Sequence, residues 1–440
     1  MIDIVVETPS GLMKGEAKGG LVYFRTIPFV EAPVEKRRWA APEAKTPWTG
    51  VLDSTIEGPI LPQGPSDLDR PMGAINRELS EAALTLMLVA PEGAKDLPVI
   101  VWFHGGANFC GAGSLDWYDG STLAKACPAV FVGVNYRLGA LGFLQYPGVN
   151  EENLAVLDWI AALQWVNTHI RSFGGDPERV TLVGQSAGGN AIVTLAGMPE
   201  TDGLFESAWI MSPSIGRGNH KKADAHRIAK TLLSAAGCRV DTDLETLRED
   251  ALGLSVNEIL LATDVAFKAH GKEFGGMLFK PVDDALFEPA AVIEKSVAGA
   301  KRKNLRIVLG TTRNETLAFS DDRSPEGLDR LAKVQQARFD APALKYVKAL
   351  SNAGVPTRKY RFDWEAPDSI YGACHCIDLP FLFGTFPAWK SPMLAGGNPE
   401  RMAALWKRFS GEFIRFVRGE EPSWPLFGEN AYVEVFNEEN

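Results

Sequence analysis

The chain has 440 residues, 45% of them hydrophobic and 23% charged, and these proportions exclude a disordered or collagen-like protein. Its 55 acidic and 45 basic residues give a net charge of −10, which argues against nucleic acid as a partner. The five cysteines are too few for a disulfide framework, and neither a signal-type leader nor a membrane-length apolar run is visible. We therefore expect a cytoplasmic protein with no membrane span.

The order of apolar patterns predicts antiparallel strands first and parallel strands afterwards. Residues 2–7 and 20–27 alternate between apolar and polar side chains, which is typical of strands with one solvent-facing side. Continuous apolar runs, typical of strands buried on both faces, follow at 97–103, 130–136, 180–183, 208–211 and 306–309. Helical periodicity is visible at 154–170 and 402–416. Together these patterns predict an α/β fold around a largely parallel sheet.

A glycine-rich loop, His104-Gly105-Gly106-Ala107, follows the first of the apolar runs. It is close to the H-G-G-G loop of lipases and esterases. Glycines let backbone N–H groups approach a substrate oxygen. We therefore expect the N–H groups of Gly105 and Gly106 to form an oxyanion hole together with the N–H group of Ala187, which lies in a later segment. A turn that merely closes the strand is the alternative. We expect His104 to hold this loop by hydrogen bonds rather than to act as a base.

The segment 184–188 reads Gly-Gln-Ser-Ala-Gly and follows a predicted strand. This G-x-S-x-G pattern between a strand and a helix is typical of a nucleophile elbow, in which the turn holds the serine hydroxyl out of the sheet. Glycines two positions before and after the serine avoid clashes in that turn. The alternative is an ordinary tight turn with a capping serine. The pattern predicts Ser186 as a catalytic nucleophile.

Further segments resemble the type B carboxylesterase and cholinesterase family of α/β-hydrolases. They extend over most of the chain, as 24–29 (FRTIPF), 135–143 (NYRLGALGF), 173–177 (FGGDP) and 419–425 (GEEPSWP). The resemblance implies one α/β-hydrolase domain over residues 1–440. It also implies a central, mostly parallel sheet with antiparallel N-terminal strands, helices on both faces and helical insertions over the active site.

The resemblance also implies the acid and the base. The family's acid lies in a G-x-x-x-x-E-G-x-x-F setting, which points to Glu315, with Phe319 at the matching place and Thr316 instead of the usual glycine. Its histidine opens an H-x-x-E/D-x-x-x-x-F-G run, which points to His375. In such a triad the histidine takes the proton of Ser186, and the acid binds the other ring nitrogen.

The segment Cys374-His375-Cys376 leaves a metal site open as an alternative. Alternate residues of an extended strand point to opposite faces, and no second Cys/His cluster supplies the remaining ligands. We therefore expect neither a metal nor a cofactor. For Glu315 the alternative is a helix cap or a solvated charge.

The substrate pocket is less well defined by the sequence. The candidates near the motifs are Gln185, Phe109, Trp117, Phe319 and Phe381, and for the aromatic ones a core or rim position is the alternative. Gln185 stands where the family often has glutamate, so attraction for cationic substrates should be weak. The interval between Glu315 and His375 is short for the family, which predicts an open pocket for bulky or aromatic esters.

The sequence as a whole predicts a bacterial-type, cytosolic serine carboxylesterase that acts on a small-molecule ester and exists as a monomer or homodimer. An amide, carbamate or lactone hydrolase with the same triad stays open, because the pocket decides which leaving group is recognised. A catalytically silent cholinesterase-like binding protein is disfavoured, because all three triad positions are filled.

Overall fold

A 12-stranded mixed sheet forms the centre of the molecule in the computed structural model, which describes residues 2–438. The strands are β1 (Ile2–Thr8), β2 (Gly11–Lys18), β3 (Leu21–Pro28), β4 (Val51–Asp53), β5 (Thr85–Pro91), β6 (Leu97–Phe103), β7 (Val130–Val134), β8 (Gly175–Gln185), β9 (Ser207–Met211), β10 (Arg306–Thr312), β11 (Thr357–Phe362) and β12 (Glu434–Phe436). Their spatial order is β1-β2-β3-β5-β7-β6-β8-β9-β10-β11-β12, with β4 beside β2.

The sheet changes from antiparallel to parallel pairing at β7. Strands β1, β2, β3, β5 and β7 pair antiparallel in that order, whereas the pairs from β7–β6 to β11–β12 are all parallel. This confirms the predicted order of strand types. The apolar run 180–183 is only the inner part of β8, because the strand begins among polar residues that periodicity does not reveal.

Helices connect the strands and cover them. They are α1 (Asp69–Met72), α2 (Ser121–Ala126), α3 (Gly139–Phe143), α4 (Leu154–His169), α5 (Ala187–Gly197), α6 (Lys222–Ala235), α7 (Leu244–Gly253), α8 (Val256–His270), α9 (Pro289–Arg302), α10 (Pro325–Gln335), α11 (Ala341–Asn352), α12 (Leu379–Phe383) and α13 (Pro399–Val417). A π-helical segment, Gln336–Asp340, joins α10 to α11. The predicted helices at 154–170 and 402–416 correspond to α4 and α13.

Both faces of the sheet are buried, as β6 shows. Val99 and Val101 belong to one hydrophobic core together with residues of α4 and α5. Ile100 and Trp102, which alternate with them, belong to a second core with residues of α12 and α13. Because successive side chains of a strand point to opposite faces, a continuous apolar run is what a doubly covered strand requires.

Two ion pairs, one part-buried and one buried, tie the connecting segments to this core. Arg38 contacts Glu81 through Nε and Nη2 at 2.6 and 2.8 Å. Arg137 Nη2 lies 2.7 Å from Asp158, and both side chains are buried. Removing one partner of such a pair typically costs about 3–5 kcal/mol. Within residues 2–438 no helix is both long and apolar enough to cross a membrane.

The parallel arrangement brings the predicted site residues to one edge of the sheet. The glycine-rich loop follows β6, Ser186 follows β8, and Glu315 follows β10, while β6, β8, β9 and β10 are consecutive neighbours. His375 lies in the connection that follows β11. Because parallel strands all end at the same edge, residues distant in sequence meet there.

Candidate active site

Ser186 lies in a strained turn between β8 and α5. Its backbone has φ 56° and ψ −118°, a conformation that is uncommon for a residue with a side chain. A Cβ at Gly184 would lie 2.6 Å from the Gly188 carbonyl oxygen, and a Cβ at Gly188 would overlap the Phe103 carbonyl oxygen. The Ser186 N–H donates to the Met211 carbonyl oxygen at 2.9 Å. Neighbouring strands therefore hold the serine in this conformation.

Free backbone donors surround this serine. A Cβ at Gly105 would lie 3.1 Å from the Ser186 Cβ, so the glycine-rich loop packs directly against the nucleophile candidate. Within residues 2–438 the N–H groups of Gly105, Gly106 and Ala187 donate to no protein acceptor. Ala187 opens α5, where the first N–H groups have no partner inside the helix. All three groups are therefore available to a ligand oxygen.

Ala107 offers a further donor that the sequence analysis left out. It has φ 54°, and its N–H is likewise unpaired in the described part of the chain. The sequence did contain a signal for this donor, because Ala107 stands at the position of the third glycine in the H-G-G-G pattern. Gly106 has φ 109°, and a Cβ there would overlap the Cys110 carbonyl oxygen, so the loop requires glycine at that position.

His104 supports this loop as expected. Its Nδ1 lies 2.7 Å from the Gly105 carbonyl oxygen, and its ring stacks on Tyr136 with 4.4 Å between ring centroids. Burial lowers the pKa of His104 to about 4, so the ring is neutral at physiological pH.

Glu315 and His375 form a fully buried pair. Glu315 Oε2 lies 2.5 Å from His375 Nδ1, and Glu315 Oε1 accepts a hydrogen bond from the Thr312 N–H at 2.8 Å. Both side chains have 0% exposure. The carboxylate therefore holds the proton on Nδ1 and leaves Nε2 as an acceptor.

The Nε2 atom of His375 contacts Gln185 rather than Ser186. The Gln185 and His375 Nε2 atoms are 3.1 Å apart, so the amide donates to the ring nitrogen. No hydrogen bond joins the Ser186 hydroxyl to His375 in this conformation, and Ser186 is 8% exposed. In unliganded enzymes catalytic hydrogen bonds often form only when the substrate binds. The side-chain amide of Gln185 thus binds His375 Nε2, the nitrogen that a general base must keep free to accept a proton.

The strand argument used against a Cys374-His375-Cys376 metal site is wrong. These residues lie in a bridge and turns, and Cys376 has φ 73°, so they are not an extended strand. Burial raises the pKa of both thiols, which disfavours the thiolate form that binds metals. In the described part of the chain no group of three or more His, Cys, Asp and Glu residues could hold a metal ion.

The comparisons with known proteins agree with this geometry. The chain matches the model of the carboxylesterase family over residues 2–336. It belongs to the carboxylesterase family. It is 34% identical to the para-nitrobenzyl esterase of Bacillus subtilis (strain 168), with 97% of this chain and 93% of that protein covered. The enzyme is therefore a carboxylic ester hydrolase.

Two further relatives extend the match to nearly the whole chain. The protein named probable N-octanoylanthranilate hydrolase of Rhodococcus erythropolis is 34% identical, with 99% of this chain and 98% of that protein covered. A solved structure of a thermophilic PNB esterase superposes with a TM-score of 0.87 at 30% identity, covering 99% and 96% of the two chains. The carboxylesterase thus has the α/β fold that was predicted for it.

A cavity of about 350 Å³ lies beside the glycine-rich loop of the carboxylesterase, next to Gly105 and Gly106. It includes two of the predicted pocket residues, Gln185 and Trp117, and the Trp117 ring stacks on Trp389 with 4.9 Å between centroids. The sequence analysis missed its other walls, among them Leu68, Met72, Ile75 and Tyr118. Helix α1 supplies Met72 and is too short to show periodicity.

The three remaining pocket candidates lie elsewhere in the carboxylesterase. Phe319 packs its ring 5.2 Å from the His375 ring and is 37% exposed, so it flanks His375 rather than the cavity. Phe109 packs against Phe267 at 5.1 Å between centroids. Phe381 has 0% exposure inside the second core, so its predicted pocket position is wrong.

A second cavity of about 430 Å³ adjoins the glycine-rich loop at Asn108 and α5 at Asn190. Its wall includes Ser214 and two basic residues, Arg217 and Lys280. The sequence analysis named none of these residues, because single polar positions far apart in the chain form no motif. Phe339 was missed for the same reason, although its ring lies 5.2 Å from the His375 ring.

Proposed function

We propose that the enzyme is a serine carboxylesterase whose catalytic triad is Ser186, His375 and Glu315. The observation that carries this proposal is the buried contact between Glu315 and His375 next to a serine in a strained strand-to-helix turn. The proposed oxyanion hole consists of the N–H groups of Gly105, Gly106 and Ala187.

In this mechanism Ser186 attacks the ester carbonyl as its proton moves to His375 Nε2. Glu315 stabilises the imidazolium that forms, and the free N–H groups bind the tetrahedral oxyanion. The imidazolium then protonates the leaving alcohol, and a water activated by His375 hydrolyses the acyl-enzyme. The Gln185 amide must release Nε2 before the first proton transfer.

A fluorophosphonate probe tests the nucleophile and the oxyanion hole together. We expect the label on Ser186 by peptide mass mapping. The Ser186→Ala variant should lose the label, and its kcat on a p-nitrophenyl ester should fall by roughly 10⁴–10⁶-fold. Ser212→Ala is the matched control, since Ser212 is also buried with a positive φ of 44° and has no side-chain partner within residues 2–438. A label elsewhere, or near-normal turnover by Ser186→Ala, contradicts the assignment.

The ester specificity follows from the walls of the smaller cavity. We propose that it takes a bulky or aromatic group, because Met72, Ile75 and Trp117 present apolar surface beside the oxyanion loop. The name of the para-nitrobenzyl esterase to which the chain is similar supports this. A p-nitrobenzyl ester should therefore be turned over with a lower KM than the matched ethyl ester.

Amide hydrolysis is the second candidate, and one relative favours it. The name N-octanoylanthranilate denotes an acyl group on nitrogen, and that protein covers 99% of this chain. The triad acts on either bond, and the leaving group decides which one breaks. Kinetics on an octanoyl ester and the matched octanoyl anilide distinguish them, because an amidase should cleave the anilide at a comparable rate.

The remaining proposals concern the whole molecule. We propose a single domain over residues 1–440, supported by a sheet that contains strands from both ends of the described chain. A reducing, cytoplasmic location is supported by five free cysteines. A monomer or homodimer stays a prediction, which light scattering after size-exclusion chromatography would check.

A further inference from the structure

Three basic side chains converge where the segment after β9 packs against the π-helical segment. Arg217 Nη1 donates to the Gly275 carbonyl oxygen at 2.8 Å, and Lys280 Nζ donates to the Arg217 carbonyl oxygen at 2.9 Å. A Cβ at Gly275 would overlap Arg338 Nη2 and lie 3.4 Å from Arg217 Nη1. Both guanidinium groups therefore meet at this glycine. We call Arg217, Lys280 and Arg338 the cationic cluster.

No protein carboxylate neutralises the cationic cluster in the described part of the chain. Burial and the charge of Arg338 lower the pKa of Arg217 to about 9. Burial and the charge of Arg217 lower the pKa of Lys280 to about 8, and the charge of Asp224 only partly opposes them. Arg217 Nε has no hydrogen-bond partner. Partly buried charges normally have a counter-ion, so a cluster whose described protein partners are backbone carbonyl groups has the properties of an anion-binding site.

The larger cavity brings two members of this cluster next to the helix that follows Ser186. Arg217 and Lys280 line it together with Asn190 and Ser214. The Asn190 N–H donates to the Ser186 carbonyl oxygen at 2.9 Å, and its side-chain amide donates to Ser214 Oγ at 3.0 Å. Four residues of helix rise by about 6 Å, so the cavity begins one turn from the nucleophile.

Arg338 connects the cluster to the catalytic base. It lies in the π-helical segment directly before Phe339, whose ring is 5.2 Å from the His375 ring. Short π-helical segments within α-helices are frequently found at functional sites. Asn190 and Phe339 thus link the cationic cluster to the two proposed catalytic residues, neither of which belongs to the cluster.

We propose that the cationic cluster binds a carboxylate that the substrate carries several bonds from the scissile ester carbonyl. The planar guanidinium of arginine matches the geometry of a carboxylate, and the ammonium of lysine adds a point charge. The proposal rests on the proposed function, with Ser186 as the nucleophile. It narrows the substrate class to esters of anionic molecules.

Hydrogen bonds to backbone carbonyl groups also give Arg217 and Lys280 a structural role. A purely structural role would change stability and the turnover of all esters alike. A binding role changes the turnover of anionic esters selectively. The experiment therefore compares two esters that differ only in charge.

The esters are p-nitrophenyl hydrogen adipate and its methyl ester, since release of p-nitrophenol reports cleavage of the same bond in both. The wild-type enzyme should have a kcat/KM at least about tenfold higher for the anionic ester. Arg217→Gln, Lys280→Met and Arg338→Met should each reduce this preference severalfold, and turnover of the neutral ester should change less than about twofold. Arg239→Gln is the control for net charge, because Arg239 is exposed and pairs with Asp250.

Each outcome decides between the alternatives. Equal wild-type rates on the two esters overturn the proposal, and so do variants that lose both activities in parallel. If the wild-type enzyme cleaves neither of the two esters, the proposed function is overturned instead. If a variant does not fold, the wild type still provides the test. Monomethyl adipate should inhibit hydrolysis of the neutral ester better than dimethyl adipate, and added salt should weaken that inhibition; equal inhibition by the two overturns the proposal.

Discussion

The two cavities next to the glycine-rich loop differ in chemistry although that loop borders both. Gly105 and Gly106 border the smaller cavity, whose wall is largely apolar and includes one carboxylate, Asp69. Asn108, two residues further along, borders the larger cavity with its basic residues. An ester has an acyl and an alcohol part, so two unlike cavities can each select one of them. We propose that specificity is divided between them, whereas the proposed triad serves both.

The largest effect is expected when the proposed triad, which serves both cavities, is disabled. Glu315→Gln keeps the size of the side chain but places an amide beside His375 Nδ1, which favours the wrong tautomer. We expect kcat to fall by about 10⁴-fold on anionic and neutral esters alike. Glu365→Gln is the control, because Glu365 is an exposed acid that pairs with Arg313. A loss confined to one ester would show that Glu315 serves one cavity and not the triad.

Filling the smaller cavity should separate the roles of the two cavities. In Met72→Trp the larger side chain occupies space that a bulky group would take, so kcat/KM for a p-nitrobenzyl ester should fall by about 10–100-fold. The preference for p-nitrophenyl hydrogen adipate over its methyl ester should persist. Met72→Leu, which conserves volume, should change both values less than about twofold. Loss of the charge preference in Met72→Trp would argue that the cavities act as one.

The contact between Gln185 and His375 allows a test of the base. In Gln185→Glu a carboxylate replaces the amide donor beside Nε2, which stabilises the protonated ring that cannot accept a proton from Ser186. The acid limb of the kcat/KM profile should move to higher pH by about one unit, so activity falls by up to about tenfold on the acid side and recovers as the pH rises. Gln185→Met removes the amide without adding charge and should move the limb in the same direction by less than Gln185→Glu does. Superimposable profiles for the wild type and Gln185→Glu would contradict a base at this position.

The smallest effect concerns the larger cavity at alkaline pH. Burial lowers the pKa of Lys280 to about 8, so this side chain is cationic below that pH and loses its attraction for anions above it. Between pH 7 and pH 9 the ratio of kcat/KM for the anionic and the neutral adipate ester should fall by about threefold. The neutral ester is the internal control, and Lys280→Met should make the fall of the ratio smaller. A constant ratio in the wild type would remove Lys280 from the cluster.

Aromatic residues show why the pocket could be predicted only in part. Trp117, Phe109 and Phe381 all lie near motif residues in the sequence. Trp117 lies on the cavity wall, Phe109 packs on Phe267, and Phe381 lies in the second core. The same type of side chain serves all three places, because its exposure depends on which helix packs over it.

The elbow, in contrast, is encoded locally. Gly184 and Gly188 accompany Ser186 because their backbones pass too close to neighbouring carbonyl groups for any Cβ. The apolar runs of the parallel strands are equally local, since burial on both faces requires them. For these features the sequence alone was sufficient, and the family resemblance added Glu315 and His375.

The tertiary structure decided which residues from distant segments of the chain come into contact. The Gln185 amide contacts His375 Nε2, although sequence reasoning had assigned that atom to Ser186. Arg217, Lys280 and Arg338 come from three separate segments and form a cluster only because the segment after β9 packs on the π-helical segment. Short-range steric rules depend on neighbouring residues and are visible in the sequence. Long-range electrostatic relations depend on how helices pack on the sheet, so they become visible only in the folded molecule.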